Sequence, residues 1–97
     1  MSVATWTYPP ELRQALGFLG LAPQAHTPPA VVRGALNDLY RYELRRMRDR
    51  LRAGEILKAD YLDRVVALRK KYWPLTLQLP AWETICANRA HPTARDG

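Results

Sequence analysis

Side chains able to do metal or nucleophilic chemistry are few and far apart in this chain. His26, His91 and Cys86 are its only imidazoles and its only thiol. A structural zinc site needs about four such ligands brought together, and these three are separated by long gaps or, for His91, lie near the C-terminus. Cys86 acting as a nucleophile would need a base within reach, and His91 is poorly placed to be one. The spacings that cradle phosphates and dinucleotides, or that build serine-hydrolase and zinc-protease sites, do not occur. No catalytic, metal or cofactor-binding residue is assigned, no cofactor is expected, and the chain is read as a non-enzyme. One cysteine makes no internal disulfide and fits a reducing compartment.

The abundant chemistry is cationic. From residue 41 to residue 71 there are eleven Lys/Arg against five Asp/Glu, so this stretch carries the whole net charge of +6. Arginines outnumber lysines twelve to three, which serves phosphate or carboxylate recognition or reflects the codon usage of a GC-rich genome. Arg41, Arg45, Arg48 and Arg52 recur at helical spacing. Together with Arg69, Lys70 and Lys71, and with Tyr42 and Tyr72 as stacking groups, they are the residues a nucleic-acid-binding protein would use. Asp38, Glu43 and Asp49 stand three residues before Arg41, Arg46 and Arg52, so local ion pairs are expected to satisfy part of this charge. The other notable chemistry is aromatic: Trp6, Trp73 and Trp82 all lie in or beside proline-containing segments, and tryptophan and arginine are enriched at binding hot spots.

These groups have to be positioned by a small fold. Ninety-seven residues with 47% hydrophobic side chains make one folded domain with a modest core, expected over 1–89 with a flexible tail over 90–97. No apolar run approaches the roughly 20 residues needed to span a bilayer, and the N-terminus lacks the basic and apolar regions of a signal peptide, so a cytoplasmic protein without membrane attachment is expected.

Pro9-Pro10-Glu11 followed by Leu12, Leu16 and Leu19 predicts a short first helix, ended at Gly20. Thr27-Pro28-Pro29 predicts the start of a long helix, with Thr27 as its cap. Val32, Leu36, Tyr40, Leu44, Met47 and Leu51 draw one apolar stripe along it, and Arg41, Arg45, Arg48 and Arg52 border that stripe. Gly54 is placed to end it in a left-handed conformation. A third helix over about 59–72 presents Tyr61, Val65, Leu68 and Tyr72 on one face, with Asp60 in the first turn and Arg69, Lys70 and Lys71 in the last, complementing the helix dipole. Leu75-Thr76-Leu77-Gln78-Leu79 alternates with the period of a strand, although no partner strand is evident, and Pro80-Ala81-Trp82-Glu83 begins a last short helix. The expected class is all-α: a long antiparallel helical hairpin with a short N-terminal helix and a Trp/Pro-rich C-terminal extension, the two flanking segments folded over its apolar seam.

Leu44, Leu51, Ala53-Gly54-Glu55-Ile56, Tyr61 and Leu68 are placed so that residues 41–72 resemble the short helical hairpin often called SHOCT, found at many bacterial C-termini. That resemblance implies an interaction or oligomerisation module with no catalytic residues. The function expected is that of a non-catalytic accessory protein, a small subunit, assembly factor or regulator. It would bind a larger protein through Trp73 and Trp82 as anchors, with Arg45, Arg48 and Arg52 steering toward an acidic surface. A homodimer that completes the core is a further expectation, and a small basic nucleic-acid-binding protein is the alternative.

Overall fold

The computed structural model describes residues 5–87. Four α-helices and one 3-10 turn follow each other: α1 (Pro10–Phe18), α2 (Pro29–Arg52), α3 (Lys58–Lys71), the turn (Trp73–Thr76) and α4 (Leu79–Cys86). The class is all-α. An isolated antiparallel bridge joins Trp6 and Ala87, supported by the Thr7 amide donating to the Cys86 carbonyl at 2.7 Å. The expected tail over 90–97 lies outside the described residues.

α1 starts with proline in its first turn and with Glu11 near its positive end, where each is favoured. Gly20 ends it with φ of 81°, and the Leu21 amide reaches back to the Leu16 carbonyl at 2.9 Å, the hydrogen bond of a Schellman cap. α2 begins one residue later than a Thr27 cap requires. Its cap position is Pro28, which has no side-chain hydrogen bond to offer. The Thr27 hydroxyl instead accepts from the Gln24 amide at 3.1 Å, and its carbonyl accepts from the Tyr8 hydroxyl at 2.6 Å, so Thr27 closes the connector rather than the helix. At the other end Gly54, with φ of 76°, permits a second Schellman cap, in which Glu55 donates its amide to the Arg50 carbonyl at 2.9 Å. The side chains of the same two residues form an ion pair at 3.5 Å, in the place where an apolar contact often sits.

The alternation from Leu75 to Leu79 does not make a strand. Trp73–Thr76 winds into the 3-10 turn with Pro74 at its start, and the Thr76 hydroxyl closes it on the Trp73 carbonyl at 2.7 Å. Leu77 and Gln78 alone are extended before α4 begins. The guanidinium of Arg33 takes the carbonyls of Leu77 (2.9 Å) and Leu75 (3.2 Å), acceptors that a sheet ladder would have used. The alternation survives as burial: Leu75, Leu77 and Leu79 are half-buried, while Thr76 and Gln78 are exposed.

The core gathers Tyr8, Leu12, Leu16, Val32, Leu36, Leu68, Tyr72, Trp82 and Cys86. It therefore takes residues from α1, the first half of α2, the end of α3 and α4. Every fully buried residue of α2 (Pro29, Val32 and Leu36) comes from its first turns, and α3 contributes only Leu68. The flanking segments thus cover one end of the long seam rather than its whole length. Over the other end Leu44, Met47 and Leu51 of α2 and Tyr61 and Val65 of α3 remain half-buried, and Ile56 is buried in the connector. The arginine-rich part of the chain is a two-helix arm projecting from a four-helix head.

Candidate functional site

Cys86 is fully buried, and burial pushes its thiol pKa up, so little thiolate is present to attack or to bind a metal. Beside it Tyr8 has a pKa pushed up to about 12, by burial first and then by the negative charge that Cys86 takes on when it ionises. His26 is exposed, and His91 lies outside the described residues. Among the described residues no group of three or more His, Cys, Asp or Glu is arranged to hold a metal ion. No helix there is long and apolar enough to cross a membrane.

The three tryptophans separate by environment. Trp82 is not a surface anchor: it is 0% exposed at the centre of the head, where its indole N–H donates to the Pro74 carbonyl at 2.9 Å. Its α4 packs against α2, so an aromatic expected to face a partner instead closes this chain's own core. Trp6 is half-buried against the same core. Trp73 is 39% exposed and shares a groove with Phe18, which at 79% is the most exposed large apolar side chain described. This groove, of about 570 Å³, runs between α1 and the end of α3; Glu11, Gln14 and Ala15 form one wall, and Lys70 and Lys71 the other.

The cations also separate into faces. Arg41, Arg45, Arg48, Arg52, Arg69, Lys70 and Lys71 are all exposed. Tyr42 is exposed with the Arg46 guanidinium 5.9 Å from its ring centre, whereas Tyr72 is buried and so has no open face on which a base could stack. The ion pairs expected within α2, Asp38 with Arg41, Glu43 with Arg46 and Asp49 with Arg52, do not form. Glu43 turns across to α3, where it accepts from the Tyr72 hydroxyl and pairs with Lys71 at 3.5 Å.

A second groove, of about 410 Å³, lies along the arm between α2 and α3. Glu43, Arg46, Met47 and Arg50 line it from α2, and Arg64, Ala67, Leu68 and Lys71 from α3. Each set follows the i, i+3, i+4, i+7 spacing of one helix face. Met47, Ala67 and Leu68 supply apolar surface, with four cations and one carboxylate around it. The border expected from the apolar stripe, Arg41, Arg45, Arg48 and Arg52, lies outside this groove, and Arg46, Arg50 and Arg64 line it instead. The spacings 43-46-47-50 and 64-67-68-71 each mark one helix face, but nothing local says that these two faces meet. Nothing in the sequence singles out Phe18 or Arg33, since a lone phenylalanine at a helix end and a lone arginine near an apolar stripe carry no distinguishing pattern.

No protein-family model matches the chain, and no curated protein or solved structure matches it.

Proposed function

We propose that this chain is a non-catalytic accessory protein, a small subunit, assembly factor or regulator, that works by docking onto a larger protein. The observation that carries the reading is the pairing of exposed Phe18 with Trp73 across one groove flanked by Lys70 and Lys71. Exposing two large aromatics side by side on a small head costs about 25 cal/mol for each Å² of apolar surface left in water, a cost that partner binding removes. Aromatic anchors within a charged rim are the usual anatomy of an interface. The arm supports the same reading as an antiparallel helical hairpin of the SHOCT-like kind, an interaction module presented away from the head. Arg45, Arg48 and Arg52 then steer encounter with an acidic surface. The setting proposed is the cytoplasm.

The experiment is a tagged pull-down with nuclease, comparing the native chain with Phe18→Ser/Trp73→Ser. A stoichiometric protein partner that survives nuclease and is lost with the double variant, while helix content is unchanged, supports docking through the groove. Retention of that partner by the double variant overturns it.

The second reading is nucleic-acid binding, favoured by the exposure of Arg41, Arg45, Arg48, Arg52, Arg69, Lys70 and Lys71. Salt discriminates the two. Phosphate contacts by several cations lose orders of magnitude in affinity between low and moderate salt, and an aromatic-anchored interface changes far less.

A further inference from the structure

We infer that the groove between α2 and α3 is a second docking site, and that its occupant is an acidic peptide segment of a partner protein with an apolar side chain among its carboxylates. The inference deepens the docking reading by naming the chemistry that the arm recognises. Arg46, Arg50, Arg64 and Lys71 surround the groove against one carboxylate, Glu43, and that carboxylate is already engaged by Tyr72 and Lys71. Arg64 has no ion pair among the described residues. Arg46 rests over the Tyr42 ring, and Arg50 meets Glu55 only at the exposed surface, so both can turn to a new carboxylate at little cost. Guanidinium groups bind carboxylates through paired, planar hydrogen bonds.

The apolar surface selects the class of occupant. Met47, Ala67 and Leu68 offer a seat for an aliphatic side chain, and methionine adapts to what it packs against. A nucleic-acid strand would want aromatic faces for its bases, and no aromatic side chain lines this groove. Residues 1–4 have no acid and residues 88–97 hold two arginines against one aspartate, so neither stretch supplies the carboxylates that the groove would take. A second copy, itself at +6, is a poor counterpart.

The test is fluorescence anisotropy with a labelled peptide in which a leucine is flanked by glutamates, against the same peptide with serine for leucine, and with oligothymidylate as the competing probe. The glutamate-leucine peptide is expected to bind at low salt. The Arg46→Gln/Arg64→Gln variant is expected to weaken it about tenfold or more, while Arg13→Gln/Lys58→Gln, with the same loss of charge at two exposed positions that line neither groove, changes it little. The serine peptide is expected to bind more weakly. Equal weakening by the two double variants, equal binding of leucine and serine peptides, tighter binding of oligothymidylate, or no binding of the peptide would each overturn the inference. Phe18→Ser/Trp73→Ser is expected to keep peptide binding. Failure of the peptide while a partner is still captured through Phe18 and Trp73 removes only the groove; failure of that capture with the peptide still bound removes only the aromatic docking reading.

Discussion

The Tyr72 hydroxyl donates to the Glu43 carboxylate and so ties the end of α3 to the middle of α2 across 29 residues of chain. The Tyr72 ring also packs at a tilt on Tyr40, with centroids 5.3 Å apart. One residue thus belongs both to the core of the head and to the base of the arm, and its neighbour Lys71 lines both grooves.

Alkaline pH should loosen this junction. Burial, then the hydrogen bond to Glu43 and its charge, raise the pKa of Tyr72 above the usual phenol value, and burial raises those of Tyr8 and Cys86. A raised pKa in the folded state means that the folded chain holds its proton more tightly than the unfolded chain does. The stabilisation is therefore complete below the unfolded pKa values and is lost as pH rises past them. Melting temperature should be flat up to about pH 8.5 and then fall, most steeply above about pH 10, where phenols titrate in the unfolded chain. Tyr72→Phe should cost about 1.5–3 kcal/mol at neutral pH, as for a hydrogen bond to a charged group, and should shallow the alkaline decline. An unchanged decline in that variant would show that Tyr72 is not its source.

Trp82 should behave as a core residue. Replacing it with alanine should cost about 3–5 kcal/mol in urea denaturation, a large share of the stability of a small domain. Trp82→Phe keeps much of the packing but leaves the Pro74 carbonyl without its donor, and should cost less than alanine. Equal stability of the native chain and Trp82→Ala would contradict its place at the centre of the head.

Arg33 holds the 3-10 segment by two carbonyls. Arg33→Met keeps the aliphatic stem and removes the donors, so the expected loss is about 1–3 kcal/mol. Amide hydrogen exchange should accelerate locally at Leu75 and Leu77, whose amides close the turn onto Tyr72 and Pro74. Uniform acceleration over the whole chain would point to a global effect instead.

Two glycines should respond in opposite directions to alanine. Gly34 is inside α2, and a Cβ there would meet nothing within 4 Å, so Gly34→Ala should stabilise by up to about 1 kcal/mol. Gly54 also has open space but sits at φ of 76°, where a Cβ costs about 1–2 kcal/mol. Denaturation midpoints that moved the same way in both variants would contradict the left-handed cap.

The sequence by itself determined what depends on neighbours along the chain. Proline in the first turn, a glycine past the last one, and apolar residues three and four apart are local signals, because helix geometry and capping act over a few residues. They located all four helices, with ends displaced by one or two residues. Short-range patterns misled at two places. The threonine before Pro28-Pro29 reads as a cap, but the helix begins beyond its reach. The alternation from Leu75 to Leu79 reads as a strand, but without a neighbouring strand its carbonyls went to Arg33.

Only the tertiary structure decided which side chains are surface. Trp73 and Trp82 look alike in sequence, each within two residues of a proline, yet one lines an open groove and the other is wholly enclosed. The difference is set by how α4 meets α2, a contact between segments some fifty residues apart whose geometry no local spacing encodes. The arginines divide for the same reason. Arg45 and Arg46 are adjacent on α2, but α3 lies beside one face of that helix, so Arg46 lines a groove with Arg64 and Arg45 does not. Burial and the meeting of cations from two helices are properties of packing, and packing is decided by the whole chain.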